Sequence, residues 1–164
     1  MRNAIIFTDY INDSVRLLIL LETVSRLKPT IKITESKIKL YDFYLKFPCT
    51  MLNELTDQNE VKINFDEFYA FFHWKPDIVR YRSSLNYLMA KGLIEKCLDG
   101  NGVYFAVCPQ GADALAKMKS GYKQRLAELA AIAVPIVSKL SDKKVEEAIA
   151  DRRCVIERNW RGYL

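Results

Sequence analysis

The fold is decided by residues 76–111, which read PDIVRYRSSLNYLMAKGLIEKCLDGNGVYFAVCPQG. Pro76 suits the first turn of a helix, and Gly92 ends that helix. LIEKCL and VYFAVC have the composition of strands, and DGNG between them predicts a tight turn. Gln110 and Gly111 then begin another helix. Helix, strand, turn, strand and helix is the order of a winged helix-turn-helix, a module that binds DNA or serves as a protein-docking platform.

The hairpin register follows from the position of the DGNG turn. A turn centred on these residues pairs Cys97 with Tyr104 and Cys108 with Leu93. We therefore expect no disulfide between the two cysteines. The four cysteines form no C-x-x-C pair, and the single histidine, His73, has no thiol near it in the sequence. We expect neither a zinc site nor another cofactor, and free thiols suit a reducing cytoplasm.

The composition bounds the class of protein. A chain of 164 residues with 50% hydrophobic residues is long enough for one domain with an extension, and it is not a disordered composition. The formal charge of +5 permits nucleic acid or an acidic partner without requiring either. Asp9 and Asp13 come too early for a signal peptide, and the apolar run 17–21 is too short for a membrane span. We expect a soluble, cytoplasmic protein.

Two helices are predicted before the deciding stretch. Asp13 is expected to cap a helix that runs to Leu27, and this helix is apolar on most sides. Such a helix is usually central to a small core. Thr34 is expected to begin the next helix, which Pro48 ends.

A long helix is predicted over residues 112–140, with Gly121 and Pro135 as points where it bends or is interrupted. Its apolar side chains recur three or four apart and include Tyr122, Leu126 and Leu129. Either the last helix, which starts near Ser141, or another protein chain must cover this stripe. The predicted fold is mainly α with a small β wing: a winged helix-turn-helix domain over residues 1–111, followed by a C-terminal helical extension over 112–164 that serves interaction or dimerisation.

Basic side chains surround the helix before the wing and continue into the wing. They are Lys75, Arg80, Arg82, Lys91 and Lys96. Lysine and arginine neutralise phosphates, so this set is a candidate DNA-binding surface. Asp77, Glu95 and Asp99 lie among them and weaken the positive field. A solvated polar face on a structural winged helix explains the pattern equally well.

The last residues of the chain include two aromatic side chains. Trp160 and Tyr163 lie in the last five residues, and aromatic side chains so placed either fold back or meet a partner.

His73 follows two phenylalanines and is more typical of a packed aromatic neighbour than of a catalytic base. Tyr81 lies between two arginines, but no histidine completes a nucleophilic site. We therefore expect no enzyme.

Several segments together resemble one family. They are SVRLLILLETV, YDFYLKF, the pair Tyr81-Arg82 before LNYLMAKGLIEK, the return VYFAVCPQGADAL, and SGYKQRLAELA. In this order they are similar to the second type of middle component of bacterial ABC three-component systems. That group includes the small accessory subunits of Lamassu-type defence complexes. Cys108-Pro109 departs from the threonine that usually ends the wing.

The resemblance implies a non-catalytic subunit. Such proteins accompany an SMC-like, coiled-coil ATPase and an effector that is often a nuclease, in defence against phage or plasmids. By this likeness the chain would bridge ATPase and effector and would contact double-stranded DNA, with no membrane involved. The alternative that the residues leave open is a winged-helix transcriptional regulator that dimerises through the long helix.

Overall fold

The structure is a computed structural model that describes residues 2–52, 67, 71, 77–100 and 102–161. Its elements in chain order are α1 (Arg2–Leu27), α2 (Glu35–Lys46), α3 (Pro48–Leu52), α4 (Ile78–Ala90), β1 (Ile94–Asp99), β2 (Gly102–Val107), α5 (Pro109–Lys117), α6 (Gly121–Val137) and α7 (Asp142–Arg161). The described residues are mainly helical, with one small antiparallel sheet. The coarse prediction of a mainly α protein with a small β element is confirmed.

Helix α1 lies at the centre of the fold, as its sequence predicted. Residues 17–21 are all at most 2% exposed, and α1 contacts α2, α4, α5, α6 and β2. The predicted cap at Asp13 is wrong, because α1 begins at Arg2 and Asp13 lies in its middle. The Asp13 carboxylate accepts hydrogen bonds from Arg16 and Arg80 instead of from a backbone amide at a helix start.

Two helix starts are fixed by side chains that accept a backbone N–H. The Thr34 hydroxyl accepts from the Lys37 amide at 3.3 Å, which confirms the predicted start of α2. The Asp77 carboxylate accepts from the Arg80 amide at 2.9 Å, so α4 begins at Ile78. The predicted opening at Pro76 lies outside the described residues.

The hairpin has the predicted register. Cys97 pairs with Tyr104, and the Cys108 amide donates to the Leu93 carbonyl at 3.0 Å. A further segment joins β2 on its other edge, where the Phe105 amide donates to the Ile33 carbonyl at 3.0 Å. The residues between α1 and α2 thus hold the hairpin against the helices.

The helix predicted over residues 112–140 is interrupted at one of its two predicted points, before Gly121. It is divided into α5 and α6 because the Ser120 hydroxyl accepts from the Lys123 amide at 3.2 Å and starts a new helix at Gly121. Pro135 lies inside α6 without ending it. The last helix begins at Asp142, as predicted.

Helix α6 packs against α1 and α2, so the helices share one apolar core. Leu126, Ala130, Ala133 and Val134 of α6 are each at most 6% exposed, and Val145 of α7 is fully buried. The division into units 1–111 and 112–164 stays a prediction.

Candidate functional site

Five charged residues and one tyrosine from three helices meet between those helices. We call the set the core ion cluster, and it consists of Asp13 and Arg16 on α1, Asp42 and Lys46 on α2, and Arg80 and Tyr81 on α4. Placing ions in a core is unfavourable unless they are paired and hydrogen-bonded. The cluster meets that condition, and it sets how the three helices are positioned relative to one another.

Asp42 is the centre of the cluster and is fully buried. Its Oδ1 accepts from Arg16 Nε at 2.6 Å, and its Oδ2 accepts from Arg16 Nη2 at 3.3 Å. The Tyr81 hydroxyl donates to the same Oδ2 at 2.5 Å, and Lys46 Nζ lies 3.5 Å from it. Both carboxylate oxygens are therefore engaged, and α1, α2 and α4 each supply a partner.

Asp13 extends the cluster to the surface. Its Oδ1 accepts from Arg16 Nη2 at 2.7 Å, and its Oδ2 accepts from Arg80 Nε. The Arg80 side chain is 45% exposed, whereas that of Arg16 is only 10% exposed. The cluster thus extends from the buried side chains of Asp42 and Arg16 to the partly exposed side chain of Arg80.

The environment sets the protonation states of the cluster. Burial disfavours the Arg16 charge, but Asp42 and Asp13 outweigh burial and raise the Arg16 pKa. Burial, followed by the Asp42 charge, raises the Tyr81 pKa. Burial lowers the Lys46 pKa, although the Asp42 charge acts to raise it. Tyr81 therefore remains a neutral hydrogen-bond donor and is poorly suited to act as a nucleophile.

A pocket of about 270 Å³ lies beside the cluster, between α1, α2 and α4. Its lining residues are Asp13, Arg16, Leu17, Lys46, Asp77, Arg80, Tyr81 and Ser84. Ser84 is 1% exposed, and its hydroxyl has no hydrogen-bond partner within the described part of the chain. Asp77, Arg80, Tyr81 and Ser84 share one face of α4 because their spacing is i, i+3, i+4 and i+7.

The predicted DNA-binding residues differ in their partners and in their exposure. Arg80 is bonded to Asp13, and Arg82 Nε donates to Glu35 at 3.2 Å. Lys91 is exposed, with its ammonium 5.7 Å from the Tyr87 ring centroid, and Lys96 is exposed on β1. Lys75 lies outside the described residues. Their joint role in binding DNA stays a prediction.

The predicted partner-binding residues also differ in exposure. Tyr122 is 38% exposed, Leu126 is buried in the core, and Leu129 is partly buried against it. Trp160 lies on α7 beyond the last described side chain, and Tyr163 lies outside the described residues. The role of this set in binding a partner stays a prediction, and Leu126 already packs within its own chain.

The hairpin exposes apolar side chains that the sequence did not single out. Leu98 is 79% exposed and Val103, its partner across the hairpin, is 38% exposed. Because alternate residues of a strand share a face, this pair lies on the same side as buried Ile94 and Phe105. We call Leu98 and Val103 the wing tip. On this face the hairpin is buried at Ile94 and Phe105 and exposed at Lys96 and at the wing tip.

The core ion cluster is the feature that sequence reasoning missed. Its signal was a charged residue in an apolar context: Asp42 lies between Tyr41 and Phe43, which are both buried. Asp13 and Arg16 are also spaced to pair on one helix. The pair Tyr81-Arg82 has a structural basis here, because Tyr81 points inward to Asp42 and Arg82 outward to Glu35.

The described residues set two limits on the site. They contain no group of three or more His, Cys, Asp or Glu side chains that could hold a metal ion. None of the helices in the described ranges combines the length and apolar character that a membrane crossing requires.

Comparison with known families identifies the chain. The model of the ABC-three component (ABC-3C) system Middle Component 2 family matches residues 6–156. No curated protein and no solved structure matches the chain. The matched range includes the core ion cluster, the hairpin, and helices α2 to α6 entirely. The chain therefore belongs to the ABC-three component system Middle Component 2 family.

Proposed function

We propose that this middle component is a non-catalytic docking subunit of a Lamassu-type defence complex in the cytoplasm. It would join an SMC-like, coiled-coil ATPase to an effector such as a nuclease, in defence against phage or plasmids. Membership of a three-component family supports partner subunits. The kinds of ATPase and effector come from the resemblance described above and form part of the proposal.

The observation that carries the proposal is the wing tip. Leu98 and Val103 form an apolar pair at the end of the hairpin. On the same face, Ile94 and Phe105 enter the core, and Lys96 is exposed. Aliphatic side chains at such an end are better matched to a protein surface than to phosphates. We assign the ATPase contact to this face of the hairpin.

We infer a winged helix from the order of the elements. The described elements follow in the order α1, the bridging residue Ile33, α2, the short helix α3, α4, β1 and β2. Ile33 and β1 flank β2 on opposite edges, which gives the sheet three segments. In such a module, α4 takes the position of the helix that DNA-binding relatives place in the major groove.

The outer face of α4 argues for a protein partner ahead of DNA. Its exposed residues are Val79, Arg82, Asn86 and Ala90. Arg82 is the one charged residue among these four, and Glu35 pairs with it. Sequence-specific readers need several donors that reach base edges. We therefore propose that DNA contact, where it occurs, is weak and sequence-independent and uses Lys91 and Lys96.

A second contact surface is proposed on α6. Tyr122 and Ile132 are 38% and 47% exposed, and Leu129 between them is only partly buried. Their spacing places them along one side of the helix. This side and the predicted residues Trp160 and Tyr163 would serve the partner that the wing tip does not hold.

Co-purification tests the proposal. The chain would be co-expressed with the neighbouring ATPase, with the tag on the ATPase, as wild type and as Leu98→Lys. We expect the wild type to be retained and the variant to lose at least tenfold in apparent affinity, because a buried lysine would lack a partner. Ile132→Lys is the matched control, since Ile132 is another exposed aliphatic residue on a different surface.

DNA binding gives a second measurement. We expect weak binding to random duplex that falls steeply with salt and is reduced by Lys91→Gln with Lys96→Gln. A preference of roughly a thousandfold for one sequence would identify a transcriptional regulator and contradict the docking role.

A further inference from the structure

We propose that the pocket between α1, α2 and α4 binds an oxyanion, the phosphate or carboxylate group of a small ligand, through Arg80, Arg16 and Ser84. The proposal does not depend on the docking role, because the pocket faces the core ion cluster and the wing tip contributes no residue to it.

Unused hydrogen-bond donors are the first argument. An arginine carries five N–H donors. Among the described residues, Arg16 uses Nε once and Nη2 twice, which leaves the two N–H groups of Nη1. Within the same ranges Arg80 uses only Nε, which leaves both of its terminal nitrogens. A guanidinium with two free N–H groups in a plane is suited to bind carboxylate or phosphate in a bidentate way.

The buried Ser84 hydroxyl is the second, independent argument. It lines the pocket, is 1% exposed, and lacks a partner among the described residues. A buried hydroxyl without a hydrogen bond is unfavourable, because it has lost its hydrogen bonds to water and gained none in return. The Ser84 oxygen has almost no accessible surface, so a ligand oxygen would satisfy it only after the side chain rotates toward the pocket. Arg80, one helical turn earlier, would contact the same group.

The charges that line the pocket favour an anion. Arg16, Lys46 and Arg80 oppose Asp13 and Asp77, so the lining carries three positive and two negative groups. Both Asp13 oxygens already accept from arginines, and one Asp77 oxygen caps α4. Asp42 lies behind the lining, and both its oxygens are bonded as well. The remaining donors therefore outnumber the remaining acceptors.

The size of the pocket limits the ligand. Its volume of about 270 Å³ lies just below the range of roughly 300–1,000 Å³ in which drug-sized ligands bind. A single phosphate- or carboxylate-bearing small molecule fits this volume, whereas a dinucleotide does not. The two anion types are distinguished by experiment.

Thermal unfolding of the full chain with inorganic phosphate, and separately with acetate, tests the proposal, with sodium chloride at equal ionic strength as reference. We expect one anion to raise the melting temperature in a saturable way, since a ligand of the folded state stabilises it by mass action. Ser84→Ala should raise the half-saturating concentration about tenfold, because a hydrogen bond to a charged group is lost. Arg80→Gln should raise it further.

Arg82→Gln is the matched control, because Arg82 is exposed on the same helix and does not line the pocket. It should bind like the wild type. Ser84→Ala keeps the test valid if Arg80→Gln destabilises the fold. A rise that does not saturate and is equal in all variants would reflect general salt exclusion and overturn the proposal. Failure of both anions to stabilise the wild type would overturn it as well.

Discussion

The core ion cluster and the wing tip reverse the usual distribution of residues. Asp42 is 0% exposed in the centre of the protein, whereas Leu98 at the hairpin end is 79% exposed. Charged side chains are rarely buried without partners, and exposed apolar patches on a surface often bind a partner. In the interior, paired charges fix the positions of the helices. On the surface, exposed apolar groups are available to contact a partner.

The difference has a consequence for the basic residues. Arg80 and Arg82 are both bonded to carboxylates of their own chain. The surface near α4 is therefore less positive than the sequence of that helix indicates. Binding by shape and apolar contact is the simpler expectation for this side of the protein.

The largest effect is expected from the centre of the cluster. Asp42→Asn removes the carboxylate that opposes the buried charges of Arg16 and Lys46. We expect the free energy of unfolding to fall by about 3–5 kcal/mol, measured by urea denaturation. The double variant with Arg16→Met should lose less than the two single losses combined. A loss below about 1 kcal/mol for Asp42→Asn would contradict the central place of this residue.

A smaller loss is expected at Tyr81. Tyr81→Phe removes one hydroxyl that donates to Asp42 and leaves the ring in place. We expect the chain to lose about 1.5–3 kcal/mol of unfolding free energy, because a hydrogen bond to a charged group is removed. Tyr10→Phe is the control, since its hydroxyl donates to the Ser83 carbonyl, a neutral acceptor. Equal losses in the two variants would contradict the account of the cluster.

Much of the framework was predictable from local signals. Thr34, the DGNG turn and the hairpin register follow from capping and turn chemistry within a few residues of sequence. The break before Gly121 was one of two positions anticipated. The contacts of Asp42 with Arg16 and Tyr81 span 26 and 39 residues, and no local pattern specifies such pairs. The exposure of Leu98 likewise depends on which other segments of the chain pack against the hairpin, and no local pattern specifies that.

A still smaller effect is expected at Glu35, on the surface between Lys39 and Arg82. The hydrogen bond from Lys39, and then the Arg82 charge, lower the Glu35 pKa below its ordinary value of 4.5. A carboxylate whose folded pKa is lowered adds stability above pH 4.5, and that stability is lost as pH falls through the folded pKa. We expect Glu35→Gln to lose about 0.2–1 kcal/mol at neutral pH and less at pH near 3.

Urea midpoints of the wild type and Glu35→Gln at the two pH values check this prediction. Lys143→Gln is a suitable control, because its pair with Glu147 is far more exposed. A difference between wild type and Glu35→Gln that grows on acidification would have the wrong sign.

The smallest effect on stability is expected at the wing tip. Leu98→Lys should change the free energy of unfolding by less than about 0.5 kcal/mol, because an exposed side chain is replaced on the surface. Phe105→Lys, on the same face of the hairpin but buried, is the contrasting variant and should be strongly destabilised. A strongly destabilised Leu98→Lys would mean that Leu98 packs within the chain.

The most direct test is the affinity of the tagged ATPase for the wild-type chain and for Leu98→Lys, measured on folded proteins. The proposed docking role predicts that the wild type binds and that the variant loses at least tenfold in affinity with an unchanged unfolding midpoint. Equal affinities, or no binding by the wild type, would contradict the claim that the chain acts by docking through its exposed apolar hairpin.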